Sequence, residues 1–129
     1  MVKPSEALAK NVGAARVLRE MKQEDLAAAM ANLGHRWTYT TVSQVEGHRR
    51  RVSIDELFGL CLALGRSIPE MLENTDRVPF DCGLGQDQVI MDHLDPGTTN
   101  MWIRGRRRLW AHSYNDGGFW SLNVQEVEP

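Results

Sequence analysis

The side chains in this chain best suited to chemistry are cations and small polar groups rather than nucleophiles. His48-Arg49-Arg50-Arg51 sets three guanidinium groups side by side, and Arg104 with Arg106-Arg107-Arg108 lies between Trp102 and Trp110. Arginine forks bind phosphate oxygens, and arginine interleaved with aromatic rings suits nucleic acid. Immediately before the first set runs Tyr39-Thr40-Thr41-Val42-Ser43-Gln44-Val45-Glu46. Glutamine can pair with adenine N6 and N7 together, and threonine can donate, accept or touch a thymine methyl. Short polar groups for base edges beside arginines for the backbone is the chemistry of duplex recognition. A lone polar helix face or charge run is more often simply solvated, so the elements that position these groups decide the matter.

Sets that would carry catalysis are missing. Gly83-Leu84-Gly85 lacks the third glycine of a dinucleotide loop. Asn115-Asp116-Gly117-Gly118 lacks the spaced ligands of a calcium loop and reads as a turn. His35, His48, His93 and His112 are scattered, with no pair at zinc spacing. Cys82 has no base nearby in sequence, and Asp92-His93 forms no acid–base pair. The expectation is a protein that is not an enzyme, with no cofactor, no metal and no evident small-molecule ligand.

The chain has 129 residues, enough for one domain or a small domain with an appendage. Its net charge of −2 argues, taken whole, against a strongly basic nucleic-acid-coating protein. The total conceals an asymmetry. Residues 1–75 hold ten Lys and Arg against nine Asp and Glu, net +1, whereas residues 76–129 hold five against eight, net −3. Cys61 and Cys82 make no disulfide framework, and Cys61 sits in an apolar run as a small buried hydrophobe. There is no membrane-length apolar stretch and no signal-peptide pattern, so a reducing, cytoplasmic setting without membrane association is expected.

Residues 1–75 read as five helices. Ser5 caps the first, which carries Glu6 in its first turn and Leu8, Val12 and Ala15 on one stripe, with Leu18 alongside. A second begins at Gln23, with Leu26, Ala27, Met30 and Leu33 inward, and ends at Gly34. Thr38 caps a third over residues 39–46, with Val42 and Val45 inward and Gly47 closing it. Ser53 with Glu56 is a capping box opening a fourth helix with Ile54, Leu57, Leu60, Cys61 and Leu64 inward, stopped by Gly65. Ser67 with Glu70 repeats the box for a short fifth helix. Residues 76–129 form an extension, with a short helix around Trp102 and a β-hairpin of residues 109–114 and 119–127. Trp102, Trp110, Tyr114, Phe119 and Trp120 are too many aromatics for a hairpin without a partner surface, so they pack on the helical part or form a homodimer interface.

With the helices in this order, residues from about Val12 to Leu72 resemble the Cro/C1-type helix-turn-helix domain of phage repressors and xenobiotic-response-type regulators. The matching blocks are Val12-x-x-Ala15-Arg16, Gln23-Glu24-Asp25-Leu26-Ala27, Thr41-Val42-Ser43-Gln44-Val45-Glu46 and Val52-Ser53-Ile54-Asp55-Glu56-Leu57 followed by Leu64-Gly65. The resemblance implies a mainly α, five-helix lambda-repressor-like domain over 1–75. The C-terminal extension, 76–129, would serve in dimerisation or as an accessory DNA contact. It implies a sequence-specific DNA-binding transcription regulator, a repressor of phage, mobile-element or host type, working as a homodimer on a palindromic operator. The alternative is an antitoxin or protein-interaction module whose helical domain binds its own operator.

The resemblance also assigns roles. The third helix enters the major groove, with Tyr39, Thr40 and Gln44 at the family's base-reading positions; Thr41 and Ser43, outward on the same helix by its period, are expected to read bases with them. Lys22, Gln23, Arg36, Arg49, Arg50 and Arg51 are expected on phosphates, Gln23 because a helix start is an anion site. Arg16 and Glu46 match a structural pair tying the first helix to the end of the third. The pattern departs at Glu20 and His48, where the family carries glycine, and in the longer connection His35-Arg36-Trp37, whose Trp37 is expected to plug the core.

Overall fold

The computed structural model describes residues 1–84, 94–114 and 119–127. The turn expected at 115–118, Gly85 and Asp92-His93 lie outside the described residues, as do the side chains of Tyr114, Phe119 and Trp120. The protein is mainly helical and ends in an antiparallel two-stranded hairpin. In order the elements are α1 (Pro4–Leu18), α2 (Gln23–Asn32), α3 (Tyr39–Glu46), α4 (Ile54–Leu64), α5 (Ile68–Leu72), α6 (Pro96–Ile103), β1 (Arg107–Tyr114) and β2 (Phe119–Glu126). They fall into two compact units, one of Ser5–Leu72 and one of Met1–Pro4 with Glu73–Pro129. No described helix is long and apolar enough to cross a membrane.

In the helical unit, apolar residues at three- and four-residue spacing converge on one core. Leu8, Val12 and Ala15 of α1 meet Leu26, Ala27 and Met30 of α2, Val42 and Val45 of α3, and Leu57, Leu60, Cys61 and Leu64 of α4. Trp37 joins this core at 5% exposure, as a plug from the long connection. Helix starts follow from local side chains. The Ser53 hydroxyl accepts from Glu56 N at 3.1 Å while Ser53 N donates to the Glu56 carboxylate at 2.9 Å. Ser67 and Glu70 repeat this exchange at the start of α5.

Several helix positions differ from the sequence-based expectation, among them Leu18, expected alongside the α1 stripe and 70% exposed. Ser5 does not cap α1, which begins at Pro4; proline suits a first helical turn, where its missing N–H has no partner to lose. Leu33, expected inward, is exposed because α2 ends at Asn32 and the chain leaves the helical stripe there. Ile54, also expected inward, is 70% exposed, since it opens α4 at the margin of the stripe that Leu57, Leu60 and Leu64 bury.

Two non-glycine residues take the left-handed region, Glu20 at φ 57° and His48 at φ 56°. This region brings Cβ close to the following carbonyl, a strain of order 1 kcal/mol or more. Glu20 is exposed, and replacing it relieves the strain without emptying the core. Glu20→Gly is expected to raise stability by about 0.5–1 kcal/mol, seen as a higher urea midpoint at constant slope; a lower midpoint would contradict the assignment.

The second unit is built differently. Val2 pairs with Phe80 as a single parallel bridge, Val2 N donating to Pro79 O at 3.0 Å and Asp81 N to Val2 O at 2.8 Å. Asn74 and Asn100 exchange hydrogen bonds between side chain and backbone at 2.9 and 3.0 Å. Asp95 caps α6 by accepting from Thr98 N, with Pro96 in the first turn. In the hairpin Leu109 faces Val124 and Ala111 faces Leu122, while Trp110 faces Asn123 on the opposite side.

Candidate nucleic-acid interface

The residues that fix α3 cluster at its C-terminal end. Arg16 of α1 grips Glu46 through Nε at 3.0 and 3.1 Å and through Nη2 at 2.9 Å, and its Nη1 donates to Met21 O at 2.8 Å. Gln23, the first residue of α2, donates from Nε2 to the second oxygen of the same carboxylate at 3.0 Å. Glu46 is thus the common acceptor of two other helices. Gly13 makes room for it, because a Cβ at that position would stand 2.9 Å from Glu46 Oε1. At the other end Thr38 caps α3, donating from its N–H to Thr41 Oγ1 at 3.1 Å and accepting from Thr41 N.

Between these clamps α3 turns Val42 and Val45 fully inward. Tyr39, Thr40 and Gln44 are exposed and Ser43 is half-buried, and none of these side chains has a hydrogen-bond partner among the described residues. Thr41 stands apart, half-buried with its hydroxyl engaged in the cap. Four of the five expected base readers therefore lie unengaged on one short helix, and the fifth serves its start.

The expected phosphate contacts divide in the same way. Lys22, Arg36, Arg49 and Arg51 are exposed, and their side chains have no ion-pair partner among the described residues. Lys22 precedes α2 with its N–H donating to Asp25 at 2.8 Å, so the α2 start is closed by Asp25 rather than by a hydroxyl. Arg50 is turned back into the protein. It bonds Glu56 at 2.9 and 3.3 Å, donates to Arg51 O, and lies over the Trp37 ring at 5.3 Å. Gln23 is likewise committed through its amide to Glu46.

Glu56 links these parts. Besides Arg50 and Ser53 N, it accepts from Trp37 Nε1 at 2.6 Å. Burial alone would raise its pKa; hydrogen bonds from Arg50, Ser53 and Trp37 and the Arg50 charge outweigh this and hold it at about 2. The capping-box spacing identifies Glu56 only as a cap; its role as the acceptor for Trp37 and Arg50 has no local signal.

In the second unit the arginine cluster is partly spent. Arg104 pairs with Glu73, and Arg107 with Glu126 at 2.7 Å and with Thr98. Arg106 and Arg108 are exposed, and their side chains have no ion-pair partner among the described residues. Trp102 and Trp110, both exposed, line an open groove of about 460 Å³ with Arg108 and Val127. Among the described residues no His, Cys, Asp and Glu side chains group as a metal site. No family model matches the chain, and neither a curated protein nor a solved structure matches it.

Proposed function

We propose that the helical unit is a lambda-repressor-like helix-turn-helix domain of Cro/C1 type, and that the protein is a sequence-specific DNA-binding transcription regulator, a repressor acting in the cytoplasm. In this reading α2 crosses the DNA backbone and α3 enters the major groove. Tyr39, Thr40, Ser43 and Gln44 face base edges, and Lys22, Arg36, Arg49 and Arg51 face phosphates. Arg50 and Gln23 act indirectly, holding the loop after α3 and the start of α2. Two copies on a palindromic site would place half-sites about one turn apart, roughly 34–36 Å.

The observation that carries the reading is α3 itself. It is clamped at both ends and buried along one side, while the side chains of Tyr39, Thr40, Ser43 and Gln44 make no hydrogen bond among the described residues. Further support comes from Glu20 and His48, which stand where the family has glycine and are the two non-glycine residues with positive φ among those described. The exposed Trp102 and Trp110 groove favours a second reading, in which the C-terminal unit also holds a protein partner, as in an antitoxin.

Selection of bound sequences from random DNA, followed by titration at several salt concentrations, tests the proposal. Gln44→Ala is expected to lower preference for the selected site by about 1–3 kcal/mol while sparing non-specific binding. Arg51→Ala should weaken all sequences alike and reduce the salt slope by about one. Failure to enrich any sequence, or equal losses on all DNA for Gln44→Ala, would overturn base reading by α3.

A further inference from the structure

Strand β1 has one edge that the hairpin does not use. Val127 N donates to Arg106 O at 3.1 Å, and the register continues with Arg108 opposite Gln125 and Trp110 opposite Asn123. Bonded and unbonded pairs alternate along an antiparallel ladder, so Arg107, Leu109 and Ala111 turn their N–H and C=O groups away from β2. These groups meet no backbone partner outside the hairpin among the described residues. The open groove of about 460 Å³ lies beside them. Arg107 and Leu109 line it from one face of β1, Arg108 and Trp110 from the other, and Trp102 from the end of α6. Residues of both faces meet one groove where it runs along a strand's edge. Proteins usually blunt or cover such an edge, because it templates pairing with another chain.

We propose that the free edge of β1 takes an extended acidic segment of another protein as a third strand, a carboxylate and a large apolar side chain of that segment lying over Arg108 and Trp110. Charge selects this occupant. Arg106 and Arg108 are exposed with no ion-pair partner among the described residues, whereas Arg104 is paired with Glu73 and Arg107 with Glu126. Two open guanidinium forks suit one or two carboxylates. They do not suit a nucleic-acid strand, because residues 76–129 carry net −3 and repel a polyanion. A small ligand fits poorly as well, since the groove is open and would leave much of it in water. An added strand satisfies the outward backbone groups and sets alternate side chains on one face. One of them meets Arg108 and the next on that face meets Trp110, with Trp102 extending the apolar contact. The inference rests on the reading in which the C-terminal unit holds a protein partner; DNA recognition by α3 does not enter it.

Selection of short random peptides on the immobilised full chain tests it. Enriched peptides are expected to share an acidic residue two positions from a large apolar one. Synthesised, they should bind the full chain in solution, and Arg108→Glu and Trp110→Ala should each weaken them roughly tenfold with unchanged circular dichroism. Single N-methyl groups placed along the peptide backbone should abolish binding at every second position only, because an edge strand bonds through alternate residues. Binding that ignores Arg108→Glu, or N-methyl tolerance without that alternation, overturns the site while leaving the unit a protein partner elsewhere. No enrichment overturns the site and the protein-partner reading together. Two outcomes would replace the occupant and overturn the proposal. One is oligothymidine binding that Arg108→Glu abolishes, which would make it nucleic acid. The other is a dimer in sedimentation that the peptide dissociates, which would make it a second copy. Duplex DNA is absent throughout, so failure leaves base reading by α3 to its own test.

Discussion

Glu46→Ala is expected to cost about 2–4 kcal/mol of folding stability, a large part of what a small domain possesses. The wild-type carboxylate is 12% exposed and accepts from Arg16 and Gln23 together. Its removal leaves the Arg16 guanidinium, 16% exposed, with Met21 O as its one remaining acceptor among the described residues. Breaking one side of such a pair is worse than never having it, because the remaining charge stays desolvated. Two controls separate this cause from simple loss of packing. Replacing both partners, Arg16→Met with Glu46→Met, should be less destabilising than Glu46→Ala alone, a coupling visible in a double-mutant cycle. Gly13→Ala should also destabilise, since the new methyl would press on a carboxylate held in place by four hydrogen bonds. A loss under about 1 kcal/mol for Glu46→Ala by urea unfolding would show the cluster to be well solvated instead.

The second large effect is expected at Glu56. Glu56→Ala deletes the acceptor for the indole N–H of the buried Trp37, the partner of Arg50 and half of the α4 capping box. A buried donor left without a partner costs about 1–3 kcal/mol and a lost cap about 1, so a total of about 2–4 kcal/mol is expected. The same residue predicts a pH dependence. Its pKa is lowered from 4.5 to about 2 in the folded protein, so the folded state favours the ionised form. That contribution is complete above pH 4.5 and is lost as pH falls from there towards 2. Glu56→Gln keeps an acceptor for Trp37 but cannot titrate. Its unfolding free energy should therefore fall less steeply than wild type across this window. Parallel curves for the two proteins would remove Glu56 from the acid limb.

Much of the helical unit is legible in sequence because its signals are local. Thr38, Ser53 and Ser67 each stand where a hydroxyl can close a helix start, and Val42 with Val45 fixes the inner side of α3. Trp37 reads as a plug because a large ring in a connection has few other places to go. What is not legible depends on where distant elements meet. Nothing near Arg50 tells it from Arg49 and Arg51; it turns inward because Glu56 and Trp37 converge beside it. Gln23 looks like an open anion site until α3 brings Glu46 to it. Ile54 and Leu33 fit an inward stripe by type and spacing, and only the assembled core shows that no neighbour covers them. The pairing of Val2 with Phe80 leaves no trace in either segment.

That pairing bears on the order in which the chain matures during synthesis. Residues 5–72 form one continuous stretch, so the helical unit can acquire its core as soon as that stretch has left the ribosome. The second unit is split: residues 1–4 emerge before the helical unit, and Phe80 and the strand-pairing segments follow only after it. Residues 1–4 therefore wait for their partners until the segment around Phe80 has followed. Closing a gap of that length makes their docking a late event in the maturation of the chain.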